Sequence, residues 1–513
     1  MSAQPQPPLE YTDVLIVGAG LSGIGAAYYL QKEQPGSRYV ILESREACGG
    51  TWDVFRYPGV RSDSDLHTFG YAFKPWVQDK SIAGAQAILD YLRSTAAENG
   101  IDAHIRYRHR VISAAWCSAQ ARWTVEVELG DSGARSRLQC RWLFAAAGYY
   151  RCDQGYSPPL AGIEQFRGPV IHPQHWPQGL DYSAKQVLVI GSGATAMTLV
   201  PALAKQAAQV TLLQRTPSYV VSLPSADPIA NALRRWLPAK LAYALTRRKN
   251  IGMQRGIWRF CRTYPKAARK LIRFMNQRAL PKGYPVDEHF NPPYNPWEQR
   301  LCVVPDGDLF KAISAGKATV VTDHIQTFTP QGVRLKSGRE LAADIVVTAT
   351  GLNIQIFGGV QLSVDGQAVD MSRKVAFRGM MLDGVPNFAF AVGYTNASWT
   401  LKVGLLCEHF CRILSHMKQH DYAICRPELP CPDMPTRPLL DFGAGYVLRA
   451  LDSLPRQGEG APWLMPMDYR QDVKVMRDGP VEDPQLMFAK AALQPGCETG
   501  VQRQGRSVDT PTL

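Results

Sequence analysis

The chain has 513 residues, which at roughly 150 residues per domain is room for about three domains or two large ones. Its 45% apolar and 20% charged residues, with a mean hydropathy of −0.18, exclude a disordered, collagen-like or disulfide-stapled protein. The net charge of +13 admits a nucleic-acid or membrane partner, but the excess is local. Pro228 to Pro285 contains no Asp or Glu, while bases accumulate from Arg234 to Arg273, so the rest is an ordinary balanced enzyme body. No tract approaches the roughly 18 consecutive apolar residues of a membrane span, and Met1 to Asp13 lacks the basic and apolar regions of a secretory signal. The eleven cysteines are scattered without a CxxC, as reduced thiols are, so a cytoplasmic protein is expected.

In chain order, a leader over 1–10 precedes an apolar strand, Val14 to Val17, then a glycine turn and a small-residue helix over Leu21 to Leu30. A second strand, Tyr39 to Leu42, ends at Glu43. The unit recurs downstream as strand Val187 to Ile190, a helix to Leu203, and strand Val210 to Leu213 ending at Arg215. Apolar residues every three or four positions among the bases of 228–285 predict inserted helices. Their apolar stripe is expected either to pack on the second unit with arginines in water, or to lie against a membrane as an interfacial helix. Alternating segments then return, with a turn at Lys336-Ser337-Gly338, and close on strand Ile345 to Thr348. The polar stretch 479–513 reads as a loose tail.

Gly18-Ala19-Gly20-Leu21-Ser22-Gly23 is a GxGxxG loop between strand and helix. Gly18 allows the tight turn, Gly20 admits a pyrophosphate to the helix N-terminus, Gly23 lets helix pack on strand, and Glu43 accepts from a ribose hydroxyl. An acid at that position suits a ribose without a 2′-phosphate, hence FAD or NAD. The second loop, Gly191-Ser192-Gly193-Ala194-Thr195-Ala196, is GxGxxA, and its following strand ends in Arg215-Thr216, which suits the 2′-phosphate of NADPH. A plain surface arginine at a strand end is the alternative. The fold class is therefore α/β, with two Rossmann-like dinucleotide-binding domains, for FAD and NADPH, and a helical insertion. The expected boundaries are 11–155 and 351–478 for the two parts of the FAD-binding domain, 156–180 for a linker, and 181–350 for the NADPH-binding domain. NADPH would reduce the bound flavin.

Two further segments carry a resemblance. Gly49-Gly50-Thr51-Trp52-Asp53-Val54-Phe55-Arg56-Tyr57-Pro58-Gly59-Val60-Arg61-Ser62-Asp63 reads GGxWxxxxYPGxxxD, and Phe166 to Pro177 reads FxGxxxHxxxWP. Together they resemble the fingerprints of type I Baeyer–Villiger monooxygenases among the class B flavin-dependent monooxygenases. Tyr294-Asn295-Pro296-Trp297 and Gly393 to Trp399 bring the wording nearest to the ethionamide-activating group, over residues 11 to 490. The resemblance implies NADPH- and O2-dependent oxidation of ketones to esters or lactones through a C4a-peroxyflavin, with sulfoxidation of thioethers besides. It implies Arg300 as the active-site cation and Asp63 as its paired carboxylate. It adds Ser22, Thr51, Trp52, Asp53, Arg61, Asp63 and Val111 as FAD contacts, and His172 and Trp176 as domain-coupling residues. Family members often carry a lysine before the arginine; here Gln299 stands there, which leaves NADPH selectivity to Arg215 and Thr216.

Other flavin classes need residues the chain lacks. A disulfide reductase requires a redox cysteine pair after the Gly-Gly-Thr run, where Trp52 follows and Cys48 is alone. N- or S-oxygenating flavin monooxygenases share both glycine loops and remain the alternative, with a non-catalytic flavoprotein more distant. Cys407, His409 and Cys411 could suggest a metal site, but Cys407 and Cys411 at i,i+4 of an amphipathic helix read more simply as a half-buried face, so no metal site is expected. No nucleic-acid motif accompanies the charge.

Overall fold

The two largest sheets of this chain have parallel cores, and the computed structural model describes residues 9–491. The first sheet orders its strands as Gln367–Ala368, Gln361–Val364, His109–Cys117, Arg122–Leu129, Ala134–Ala145, Glu10–Val17, Tyr39–Leu42 and Ile105–Arg106, with Phe388–Phe390 also paired to Ala134–Ala145. The nucleotide half is parallel: Val14 to Val17 run beside Tyr39 to Leu42 and beside Trp142 to Ala145. Strands buried on both faces read as unbroken apolar runs, and Tyr39–Leu42 is buried throughout. The second sheet is wholly parallel, ordered Ala318–Thr322, Gln209–Gln214, Gln186–Ile190, Ile345–Thr348 and Val170–Ile171. The first sheet thus draws strands from both ends of the chain and the second from the middle.

Both sheets present the same local device to a ligand. Helix Leu21–Glu33 starts at Gly20 and helix Ala194–Leu203 at Gly193, each directly past the carboxyl end of the first strand of its unit. The Cβ that Gly23 lacks would lie 2.0 Å from the carbonyl oxygen of Gly18, and that lacking at Gly191 2.2 Å from that of Ala349. The close approach of the helix to its loop at Gly23, and of the second loop to the Ala349 turn at Gly191, therefore leaves no room for a side chain at either position.

Three expectations change on this frame. Residues 156–180 are more than a linker, because Val170–Ile171 is the edge strand of the second sheet. The stretch from 479 is not loose where it is described: Leu486–Ala489 pairs antiparallel with Ile424–Pro427, Leu486 is buried, and Asp483 accepts from Arg378 at 3.1 Å. Residues 1–8 of the leader and 492–513 of the tail lie outside the described residues. The insertion is helical as expected, over Pro228–Trp236, Ala239–Thr263 and Pro265–Ala279, with most of its bases in water, but its large apolar side chains do not turn inward. Its inner face mixes small apolar with polar side chains: Arg247 donates to the carbonyls of His67 at 2.9 Å and Gly70 at 3.1 Å, and Asn250 donates to Asp65 at 2.8 Å. Apolar side chains point outward, Trp236 being 84% exposed.

The helix Trp399–Gln419 closes the first sheet and carries Cys407, His409 and Cys411, all buried. His409 is committed to protein partners at both nitrogens. Nδ1 donates to the carbonyl of Met476 at 2.9 Å, and Nε2 accepts from Arg378 at 2.9 Å. Burial, then the adjacent guanidinium, pushes its pKa down to about 3. The unfolded chain, with an ordinary histidine near 6.5, therefore takes up this proton first as pH falls. Stability should decline through the window from about 6.5 toward about 3, by at most about 1.4 kcal/mol per pH unit from this residue. The thermal midpoint should fall more steeply on acidification than in His409→Gln, whose amide can make both bonds without titrating; equal slopes would remove His409 as the cause.

Candidate active site

The first glycine loop and Glu43 form one rigid unit. Gly18 has φ +102°, and a Cβ there would meet Ala147 Cα at 2.9 Å. Glu43 is 6% exposed; its Oε2 accepts from the Ala19 N–H at 2.8 Å and Oε1 from the Arg45 N–H at 3.0 Å. Two backbone donors fix the carboxylate at the strand end, with lone pairs left for a ribose hydroxyl. A cavity of about 510 Å³ opens in front of it, in the size range of cofactor sites. Gly18, Gly20, Ser22, Glu43, Thr51, Trp52, Asp63, Val111 and Arg300 all line it, so residues from four separate stretches meet there.

Two expected contacts stand elsewhere. Asp53 is 2% exposed and lies behind the cavity wall, where it accepts from Arg45 at 2.6 Å and from Arg56 and Arg93 at 3.1 Å each. Three guanidinium groups on one carboxylate make it an anchor for the helix Thr51–Val54. Arg61 turns to the other nucleotide unit and pairs with Asp308 at 2.6 Å. Gly23, also outside the lining, has the packing role described above.

At the far end of the cavity Arg300 NH1 faces Asp63 Oδ2 at 3.6 Å, both side chains about one-third exposed. The separation is longer than a hydrogen bond and leaves the guanidinium with free donors. Asp63 first, and then the phenols of Tyr149, Tyr446 and Tyr150, hold the Arg300 pKa above its ordinary value, so the group is a permanent cation. The preceding loop is fixed by Asn295, which donates from its backbone and its amide to Glu298 at 2.9 and 2.7 Å. Within it Trp297 adopts φ +70°, a conformation rare for a bulky residue and of the kind concentrated at functional sites.

An aromatic wall that the sequence reading missed completes the chamber. Tyr149 stacks on Trp399 with centroids 5.2 Å apart, and the Tyr149 and Tyr150 hydroxyls lie 2.9 Å apart. Trp399 Nε1 donates to Ser22 Oγ at 3.0 Å, tying this wall to the first glycine loop. Gly393 makes room for the indole, since a Cβ there would lie 2.4 Å from its ring. Tyr149 and Tyr150 directly follow Ala146-Ala147-Gly148, a strand-end turn beside the glycine loop; that turn was the available signal.

The second glycine loop is open to solvent. A Cβ added at Gly193 would meet nothing within 4 Å, and Gly193 and Ala194 are exposed, whereas Ala196 is buried under the helix. Ser192 Oγ accepts from Ser218 at 3.3 Å, and Thr195 is half-buried. Arg215 is exposed at the strand end beside half-buried Thr216, and makes no ion pair or hydrogen bond among the described residues. The YPG segment docks here: Gly59 has φ +78°, and a Cβ on it would lie 2.6 Å from Ala202 Cβ. His172 stands where the two units join. Its Nε2 donates to the Gly351 carbonyl at 3.1 Å and its Nδ1 accepts from the Gln174 N–H at 3.2 Å. Burial keeps its pKa below 6.5, which matches the neutral tautomer these bonds require. Trp176 is half-buried against Tyr182. The one cluster among the described residues with metal-ligand spacing is His416, His420 and Glu482, at the opposite end of the helix that begins with Trp399.

Two dinucleotide folds, one closed by an acid and one by a base, define a flavoprotein oxidoreductase. Residues 16–79 match the family described as an NAD(P)-binding Rossmann-like domain, and residues 76–237 the flavin-binding monooxygenase-like family. The FAD-containing monooxygenase EthA of Mycobacterium tuberculosis is 54% identical over 482 residues, spanning 94% of this chain and 98% of the relative. The putative FAD-containing monooxygenase MymA of the same organism is 48% identical over 494 residues, with the same coverage. A steroid monooxygenase structure bound to NADP superimposes with a TM-score of 0.72 at 22% identity, over 94% of this chain and 100% of that one. The chain belongs to the FAD-containing monooxygenases. It is an FAD-containing, oxygenating flavoenzyme with a second nucleotide fold of the NAD(P)-binding kind. Among the described residues no helix is long and apolar enough to cross a membrane.

Proposed function

We propose that the enzyme inserts one oxygen atom of O2 beside the carbonyl of a ketone, giving an ester or lactone, and also oxidises thioethers to sulfoxides. The observation that carries this reading is the permanent cation Arg300 in the cavity wall opposite the glycine loop, loosely paired to Asp63 at 3.6 Å. Bound FAD, reduced by NADPH, supplies the activated oxygen. Gly18, Gly20 and the N-terminus of helix Leu21–Glu33 would receive its pyrophosphate, and Glu43 a ribose hydroxyl. Ser22, Thr51, Trp52 and Val111 would border the rest, while Asp53 and Arg61 act through Arg45 and Asp308. Gly191 to Ala196 would take the NADPH pyrophosphate, and Arg215 with Thr216 its 2′-phosphate.

Within the chamber Arg300 stabilises negative charge as a ketone oxygen becomes an oxyanion, and Asp63 sets the direction of the guanidinium. Trp399 and Tyr149 exclude water from one side. His172 and Trp176 couple movement of the two nucleotide units, since His172 bonds to Gly351 at their junction. We place this activity in the cytoplasm, at or near the inner membrane face. A panel of linear, cyclic and aryl ketones with thioethers, read by product mass and NADPH consumption, tests the reading. Esters from at least one ketone class are expected. Sulfoxides without any ester would instead make this an N- or S-oxygenating enzyme.

A further inference from the structure

We propose that the outward face of the insertion 228–285 is a docking surface for an anionic lipid membrane. Helices on a soluble protein normally turn their apolar stripe inward. Here the buried positions of the long helix Ala239–Thr263 are Ala242, Thr246, Asn250 and Cys261, and those of Pro265–Ala279 are Ala268, Ile272 and Asn276. Eleven of the eighteen large apolar side chains exposed among the described residues fall within this insertion, ten of them on its three helices. Trp236 is 84% exposed, Tyr264 62%, Ile229 56%, Phe274 52% and Met253 51%. Such concentration on one insertion marks an interaction surface.

Charge selects the partner. The insertion holds fifteen Lys and Arg and no acid. Six of these bases are used inward or laterally, among them Arg247 on the carbonyls of His67 and Gly70, Lys249 on Asp227 and Arg255 on Asp468. The remaining nine, from Arg235 to Lys282, are exposed and have no acidic partner among the described residues. Exposed Trp, Tyr and Phe interspersed with unpaired cations is the composition of an interfacial membrane contact, where rings enter the headgroup boundary and cations meet anionic phosphates. A second copy of the chain would bring the same positive face and repel it.

The placement also serves the site. The inner face grips the turn that follows Asp63: Asn250 and Gln254 both bond Asp65, while Asp63 and Ser64 line the cavity. A membrane held on the outer face would lie one helix layer from the chamber, which suits substrates that partition into lipid. The inference rests on the placement near the membrane given above; oxidation of a water-soluble ketone does not depend on it.

The test is co-sedimentation of the FAD-loaded full-length enzyme with vesicles of phosphatidylcholine alone or mixed with phosphatidylglycerol. The enzyme should pellet with the mixed vesicles only, and its partition coefficient should fall at least about tenfold between about 50 mM and about 500 mM salt. Two triple variants, Trp236→Ser with Ile257→Ser and Phe274→Ser, and Arg235→Glu with Arg259→Glu and Lys270→Glu, should each lose binding. Both should keep NADPH-driven flavin reduction at the wild-type rate, because all six side chains are exposed. Wild type remaining in the supernatant at low salt overturns the proposal. So does concentration-dependent self-association that the apolar triple variant abolishes, since a second copy would then be the occupant. NADPH consumption with a soluble ketone, measured without vesicles, reports separately on the catalytic reading.

Discussion

Arg300→Ala should lose ester formation almost completely, by at least about 100-fold in turnover, while anaerobic reduction of the flavin by NADPH stays within about twofold of wild type. One preorganised charge aimed at a developing oxyanion is worth on the order of 3 kcal/mol. Hydride transfer to the flavin develops no oxyanion at this place and should not sense the loss. The variant should also fold and hold FAD. Its ion pair with Asp63 is long at 3.6 Å and about one-third exposed on both sides, and pairs of that kind contribute about 1 kcal/mol or less. Rapid-mixing absorbance for reduction and mass spectrometry for ester separate the two steps. Ester at the wild-type rate would remove Arg300 from the oxygenation chemistry.

Arg215→Ala should raise KM for NADPH about 10- to 100-fold and leave KM for NADH within about twofold. A hydrogen bond to a charged partner is worth about 1.5–3 kcal/mol, and only NADPH carries the phosphate this guanidinium would meet. Arg215 is exposed and makes no protein contact among the described residues, so its removal costs no packing. Glu43→Gln, by contrast, should weaken FAD retention, because both Glu43 oxygens are positioned by backbone donors inside the first cavity. Parallel loss for both nicotinamide cofactors in Arg215→Ala would end the phosphate assignment.

What could be read from the sequence divides along the range of the interactions. The glycine loops were legible because each spacing encodes a local geometry: Gly18 has the positive φ its turn requires, and Gly23 packs against the carbonyl of its own loop. Arg300 and Asp63 are far apart in the chain, and only family resemblance paired them. Asp53 and Arg61 were misplaced for the same reason. Their partners Arg93 and Asp308 come from other elements, so a fingerprint position turned out to be an ion-pair anchor. The insertion shows a different limit. Helical period groups Leu241, Leu245 and Ile257, but it does not decide which face turns inward. Here the carbonyls of His67 and Gly70 take their side-chain donors from Arg247 and the carboxylate of Asp65 one of its donors from Asn250, so polar side chains of the long helix turn inward and its large apolar ones outward. The tail was misread because its apolar content is slight; one buried Leu486 and the Asp483–Arg378 pair suffice to hold residues 479–491.

Insertion of a single oxygen atom from O2 in the Arg300 chamber, driven by NADPH, can be followed atom by atom. The direct measurement is a turnover of a ketone substrate under isotopically heavy O2, with the product mass and NADPH oxidation recorded together. An ester carrying one heavy oxygen, formed in a one-to-one ratio with NADPH oxidised, is the result predicted. Ester oxygen derived from water, or NADPH oxidised only to hydrogen peroxide with every ketone and thioether offered, would contradict it.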